Sequence, residues 1–323
     1  MSGMEWAIEV RKLCKSFGSL EVLRGIDLSV ARGTVQAVLG PNGAGKTTLV
    51  GILSTLLRPD RGSAHVFGLD VVRDADEVRA RIGLAGQFAA VDEELSGRDN
   101  LMLFGRLAGF GRQDARARAD ELLIAFELAE AASRPAGKYS GGMRRRLDIA
   151  AAMLVVPDLL FLDEPTTGLD PRSRNAVWDI IRALRMRGTT ILLTTQYLEE
   201  ADQLADRIAV IDGGAVIAEG TAGELKASVG SGTLHVRLAA PEQRPQAERL
   251  LREVLQAEVR LHADPATLSA QVAGQPQAAV VLQALASAGM ETVQFSLGQP
   301  SLDEVFLALT GRTPTAEKEE CAS

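Results

Sequence analysis

The chain has 323 residues, 46% of them hydrophobic, and carries 42 acidic against 35 basic side chains for a net charge of −7. That length exceeds one typical domain and supplies ample apolar material for a core, while the acidic balance argues against broad nucleic-acid binding driven by counterion release. No apolar run reaches the roughly 18 residues of a bilayer-spanning helix, and Met1 to Trp6 lack the basic-then-apolar order of a secretory leader. Cys14 and Cys321 stand in no metal-ligand or redox spacing, so reduced thiols in a cytoplasmic setting are expected.

Residues 7–10 and 26–30 alternate like half-buried strands, with Gly18 and Gly25 in the connection. Phe17 lies between them and is either a stacking platform for a nucleotide base or an ordinary core aromatic. The apolar run 35–39 then feeds Gly40, Pro41, Asn42, Gly43, Ala44, Gly45, Lys46, Thr47 and Thr48, which satisfies G-x-x-x-x-G-K-[ST]. Glycines without Cβ atoms let successive N–H groups turn toward phosphate oxygens, and a helix opening at Lys46 adds its positive end. Lys46 is expected to reach the β- and γ-phosphates, Thr47 to offer its hydroxyl to Mg²⁺, and Thr48 to make a further phosphate contact. The helix is expected to continue through Leu57 and to end before Pro59 and Gly62.

Gln87 follows the short apolar strand 82–85, where its amide can either meet Mg²⁺ and the attacking water or simply face solvent. Residues 96–126 read as helices, with Asp114 as a candidate N-cap. Ser140, Gly141 and Gly142 precede an apolar-periodic helix and suit either a helix cap or a second anion site. The triplet Arg144, Arg145 and Arg146 can meet phosphate or nucleic acid, but arginines on a helix are more often solvated or paired. The apolar strand 159–162 ends in Asp163 and Glu164, a pair suited to holding Mg²⁺ and to orienting or deprotonating the attacking water. A turn through Asp170 leads to a helix ending near Met186, and the strand 190–195 puts Gln196 at another strand end. Residues 207–212 and 215–218 form a predicted hairpin around Gly213 and Gly214.

Taken in order, the phosphate loop, Gln87, Ser140-Gly141-Gly142, Asp163-Glu164 and Leu169-Asp170 resemble the ATP-binding subunit of ABC transporters over roughly residues 5–225. The segments 139–146, 194–202 and 301–307 narrow the resemblance to the daunorubicin/doxorubicin-resistance ATP-binding subunits. The resemblance implies an α/β fold: an ABC-type P-loop nucleotide-binding domain, with a helical subdomain at about 90–155. It also implies ATP and Mg²⁺ as cofactors and efflux of a hydrophobic drug through a separate integral membrane permease, with the chain peripheral on the cytoplasmic face. Phe17 then matches the adenine-stacking aromatic, and Gln87 matches the glutamine linking Mg²⁺ to the membrane subunit. Ser140, Gly141 and Gly142 match the signature that binds ATP held by the other copy of a head-to-tail homodimer, and Asp170 bridges the two sites. Thr47, Gln87 and Asp163 form the implied metal set; Lys46, Glu164 and Gln196 form the catalytic one. Two departures stand out: Met143 replaces the usual signature glutamine, and Gln196 replaces the usual histidine and cannot titrate. A soluble ABC-type ATPase acting on nucleic acid or the ribosome is the competing reading, disfavoured by the net charge; a small-molecule kinase leaves Ser140 and Asp170 unexplained.

Residues 226–311 read as a small α+β accessory domain, with strands at 234–238 and 293–297 and helices near 242–256 and 276–288. Leu302, Val305, Phe306 and Leu309 share one face of a terminal helix, which leaves Asp303 and Glu304 off it. That face either packs on its own domain or docks on a partner. His235 and His262 show no ligand spacing, and the tail 312–323 has the composition of a disordered segment.

Overall fold

A computed structural model of the chain describes residues 6–86, 90–228, 232–272, 274–298 and 301–310. The chain forms two compact units, one through Ala222 and one from Gly223.

In the first unit, β1 (Trp6–Phe17) and β2 (Leu20–Ala31) form one long hairpin, longer at both ends than their alternating cores predict. Gly18 makes the turn at φ 60°, whereas Gly25 sits within β2 at φ 82°, next to a shift in strand register. The chain continues through β3 (Val35–Leu39), α1 (Lys46–Leu53), β4 (Arg61–Val66), β5 (Leu69–Asp70), α2 (Ala75–Arg79) and β6 (Ile82–Ala85). Three helices follow, α3 (Gly97–Leu107), α4 (Arg112–Ala125) and α5 (Gly141–Ala152), then β7 (Leu159–Asp163), α6 (Pro171–Met186) and β8 (Thr190–Thr195). The unit closes with α7 (Leu198–Leu204), β9 (Arg207–Asp212) and β10 (Ala215–Gly220).

Two sheets result, one ordered β2-β1-β4-β5 and the other β10-β9-β3-β8-β7-β6. In the second sheet β9, β3, β8, β7 and β6 run parallel, and β10 returns antiparallel through Gly213 and Gly214, both at positive φ as a two-residue hairpin turn demands. Every residue of β3, β7 and β8 is buried, which is why they read as mainly apolar runs rather than alternating ones, with Gln36, Asp163, Thr190, Thr194 and Thr195 buried among them. Ile8, Leu13, Leu23, Leu49, Ile52 and Phe161 lie in the core cluster shared by both sheets and α1. Burial of each such side chain contributes about 1.5–3 kcal/mol.

Two helix boundaries differ from expectation. α1 stops at Leu53 rather than Leu57, because Thr55 turns left-handed at φ 68° and the Leu57 N–H closes back on the Gly51 carbonyl at 2.9 Å. Gly111, not Asp114, occupies the N-cap of α4; Asp114 falls in the first turn, where its charge still suits the helix dipole.

The boundary falls at the first residue of α8 (Ala222–Ser228), and the second unit continues with β11 (Gly232–Leu238), α9 (Arg244–Leu255), β12 (Val259–Leu261), β13 (Thr267–Val272), α10 (Gln275–Ser287), β14 (Thr292–Gly298) and α11 (Leu302–Thr310). Its antiparallel sheet is ordered β12-β13-β11-β14, and α9 and α10 pack Leu251, Leu255, Val281 and Leu285 against it. On α11, Leu302, Val305 and Phe306 are buried, in line with the packing alternative, but Leu309 is 37% exposed and Glu304 is buried. Glu304 Oε2 accepts from the Ser301 N–H at 2.9 Å and from the Thr233 hydroxyl at 2.8 Å, while Ser301 Oγ accepts from the Glu304 N–H. This reciprocal capping box explains how a carboxylate is accommodated inside. Among the described residues, no helix is long and apolar enough to cross a membrane.

Candidate nucleotide site

Strand register brings part of the predicted site together. Leu39 at the end of β3 pairs with Thr195, Asp163 pairs with Thr194, and Ala85 pairs with Leu162, so four parallel strands finish along one edge. The 40–48 loop, Asp163, Glu164 and Gln196 all leave from that edge. The Gly40 N–H donates to the Thr195 carbonyl at 3.3 Å, which fixes the start of the loop beside the start of the Gln196 segment.

Backbone geometry demands glycine at two loop positions. A Cβ on Gly40 would lie 2.3 Å from the Ile211 carbonyl oxygen, and Gly45, at φ 104°, would press one to 2.6 Å from Leu23 Cδ2 and 3.1 Å from the Val22 carbonyl. Gly43 turns at φ 80° in open space, Pro41 and Asn42 lie on the outer part of the loop, and Ala44 is buried beneath it. Gly45 is the N-cap of α1 and contributes no side-chain cap, so the first N–H groups of that helix are left to an anionic ligand. Thr47 is exposed at this end and Thr48 half-buried. An uncapped helix start, a curled glycine loop and a nearby carboxylate pair fit a nucleotide triphosphate with its divalent ion.

Lys46 is 4% exposed; its ammonium donates to the carbonyls of Gly40 at 2.9 Å and Pro41 at 3.1 Å, and pairs with Glu164 Oε1 at 3.4 Å. Asp163 is buried and accepts a hydrogen bond from the Thr194 hydroxyl. The same hydroxyl accepts from the Glu164 N–H at 3.1 Å, so Thr194 ties the two acidic residues to β8. Glu164 itself is left-handed at φ 49°, a costly conformation for a residue with a Cβ, and its Oε2 accepts from the Thr167 hydroxyl at 3.2 Å. Gln196 is half-buried just beyond β8.

The signature residues lie elsewhere. Ser140 caps α5, its Oγ accepting from the Met143 N–H at 3.3 Å, so the capping reading holds. A Cβ on Gly142 would stand 2.3 Å from Ser173 Oγ, and one on Gly141 would stand 3.5 Å from Leu169 Cδ2. The signature therefore adjoins the turn that carries Asp170. Asp170 is exposed, caps α6 through the Ser173 N–H at 3.0 Å, and accepts the Ser173 hydroxyl at 2.7 Å. The Ser173 hydroxyl, then its N–H, holds the Asp170 carboxyl below its ordinary range. The polar partners of Ser140 and Asp170 thus come from their own helix starts rather than from the 40–48 loop. Phe17 is 48% exposed at the tip of the β1–β2 hairpin with Lys15 Nζ 5.6 Å from its ring centre, which excludes the core reading. Gln87 lies outside the described residues.

Three buried residues escaped the sequence reading, Thr194, Asp148 and Glu200, and Arg145 enters it only as one of a triplet more often solvated or paired. Each arginine of the triplet has a carboxylate partner: Arg144 pairs with Glu93 at 2.7 Å, Arg145 with Asp148 at 3.1 Å and Arg146 with Glu127 at 3.1 Å. The Arg145–Asp148 spacing of i, i+3 is the only sequence signal for that pair. Glu200, 0% exposed on α7, accepts from the Thr166 hydroxyl at 2.8 Å and from Trp178 Nε1 at 3.1 Å. Burial pushes its carboxyl above the ordinary value of 4.5, against the pull of the Thr195, Thr166 and Trp178 donors. The folded state thus holds this proton more tightly than the unfolded chain, and the group's contribution to stability falls as pH rises through 4.5 and toward the raised folded value. Glu200→Gln should therefore gain stability relative to the parent as pH rises, read as a widening difference in denaturation midpoint. Glu200→Ala should lose about 1–3 kcal/mol because two buried donors go unpaired; a midpoint unchanged in the alanine variant would overturn this account.

Residues 23–167 match the ABC transporter family, and residues 220–310 match the family described as ATP-binding protein DrrA1-3-like, C-terminal domain. The chain is 57% identical over 305 residues to the daunorubicin/doxorubicin resistance ATP-binding protein DrrA of Streptomyces peucetius, an alignment covering 94% of this chain and 92% of that one. It is 46% identical over 319 residues to the doxorubicin resistance ATP-binding protein DrrA of Mycobacterium tuberculosis, covering 96% and 95%. A solved structure of CbiO1 from Clostridium perfringens, part of the ABC transporter complex CbiONQ, aligns with a TM-score of 0.64 at 25% identity over 70% of this chain and 92% of that one. With the phosphate loop, the carboxylate pair and the signature helix in the family's order, the chain belongs to the daunorubicin/doxorubicin-resistance family of ABC transporter ATP-binding proteins and is an ATPase subunit.

Proposed function

We propose that the chain works as a homodimer that binds two ATP molecules head to tail, and that its ATP cycle drives export of a hydrophobic drug or antibiotic through a separate integral membrane subunit. The observation that carries this reading is the convergence of Lys46, Asp163, Glu164 and Gln196 with the 40–48 loop at one sheet edge, while Ser140, Gly141, Gly142 and Asp170 cluster separately. A second copy supplies the missing half of each site. Resistance to daunorubicin and doxorubicin in the relatives' names supports the drug class.

In this reading the loop N–H groups, Lys46 and Thr48 hold the phosphates, and Phe17 stacks on adenine. Thr47, Asp163 and Gln87 hold Mg²⁺, which when bound neutralises phosphate charge. Glu164 takes the proton of the attacking water, and Gln196 donates a hydrogen bond to the γ-phosphate. Lys46 must leave Glu164 to reach phosphate, so substrate binding frees the carboxylate for its role as base. Nucleic acid is not a proposed partner, since the arginine triplet is paired and the net charge is −7.

Affinity purification of the tagged chain from its native cells in mild detergent should recover a polytopic membrane protein in stoichiometric amount, consistent with peripheral attachment at the cytoplasmic face. Recovery of ribosomes, nucleic acid or soluble chain alone would overturn it. Gln196→His should keep turnover within about tenfold, because an imidazole also donates at this strand end; complete loss of phosphate release would show that the amide has a role histidine cannot fill.

A further inference from the structure

Glu164 holds a backbone conformation that persists only where its surroundings over-determine it. Thr194 holds the Glu164 N–H from β8, and one side chain on α5 holds the backbone on either side of it. Arg145 is 9% exposed; its Nη2 donates to the Asp163 carbonyl at 3.1 Å and its Nε donates to the Pro165 carbonyl at 3.0 Å. These two carbonyls flank Glu164 on either side. Its Nη1 reaches the Gly86 carbonyl at 2.6 Å and Asp148 Oδ2 at 3.1 Å, and Asp148 Oδ1 in turn accepts from the Ala90 N–H at 2.8 Å. A planar guanidinium with five donors can span these acceptors at once; an ammonium cannot.

We propose that Arg145, oriented by Asp148, is a positioning residue for Glu164: it grips the peptide carbonyls before and after Glu164 and ties them to the chain on both sides of residues 87–89. The proposal rests on the reading of Glu164 as the base. Arg145 touches no reacting atom, and its effect passes through the turn it holds. Loss of the grip lets the Glu164 backbone relax out of its left-handed conformation and carries the carboxylate off line, which lowers kcat without weakening ATP binding. Asp148 keeps the guanidinium in register, so its loss should act in the same direction but less.

The test is a cycle on the full-length chain, with phosphate release and equilibrium ATP binding measured for each variant. Arg145→Lys is expected to lower kcat about 10- to 100-fold, with KM and ATP affinity within about twofold of the parent. In a Glu164→Gln background the same change should lower the residual rate less than about twofold, because the group it positions is already gone. Asp148→Asn should lower kcat about 3- to 10-fold on the parent and likewise do nothing further on Glu164→Gln. It carries the test alone if Arg145→Lys fails to fold. Parent-like kcat in both variants, or equal losses in the two backgrounds, would overturn the proposal. Glu164→Gln measured by itself separates the two ideas: parent-like turnover there sinks the reading of Glu164 whatever Arg145 does.

Discussion

Glu164→Gln is expected to reduce ATP turnover by about 100-fold or more while leaving ATP binding intact. Glutamine keeps the length and one carbonyl-type oxygen for the Thr167 hydroxyl, so the turn after β7 retains its local bond. Lys46 still has the Gly40 and Pro41 carbonyls, so the loop keeps its internal support after losing the 3.4 Å partner. What disappears is the ability to accept a proton. The variant should thus bind and not turn over, and ATP-bound dimers should accumulate on size exclusion. Phosphate release together with equilibrium nucleotide binding checks both halves of the expectation, and turnover equal to the parent would exclude Glu164 as the base.

The edge to which this chemistry is assigned is legible because parallel strands buried on both faces are predominantly apolar. The runs 35–39, 159–162 and 190–195 announced themselves, and the residues after them had to emerge at a common edge. What sequence could not show was the support beneath it. Arg145 bonds to carbonyls 18, 20 and 59 positions away, contacts that depend on backbone atoms every residue possesses and that leave no trace in side-chain type. Thr194 looked like one more strand residue, although its hydroxyl joins Asp163 to the Glu164 N–H. In the second unit, β12 and β13 lacked a strong β-branched pattern, and Glu304 looked solvent-facing because helical periodicity does not reveal a capping box that folds a carboxylate inward. Phe17 remained ambiguous until its position on a hairpin tip exposed it.

The second large effect is expected at Gly142, and it runs against helix propensity. Alanine normally stabilises a helix by about 0.5–1 kcal/mol relative to glycine, and Gly141→Ala should sit within about 0.5 kcal/mol of the parent, since its Cβ meets only Leu169 Cδ2 at the ordinary distance of 3.5 Å. At Gly142 the new Cβ would lie 2.3 Å from Ser173 Oγ and 2.5 Å from Ser173 Cβ, inside any tolerable contact. One of the two helices must shift, at a cost of about 1–3 kcal/mol. The shift also moves Ser173, which holds Asp170 through both its N–H and its hydroxyl. In the proposed dimer, signature and Asp170 both serve the partner's site, so one methyl group disturbs two contacts. Turnover in Gly142→Ala should fall about tenfold or more, with ATP-dependent dimerisation weakened to match. Ser173→Gly in that background removes the obstructing atoms and should recover part of both, whereas Ser173→Ala keeps the Cβ and should not. Parent-like turnover and dimerisation in Gly142→Ala would mean that α5 and α6 can separate freely, and that the packing of signature against Asp170 turn does not govern the site.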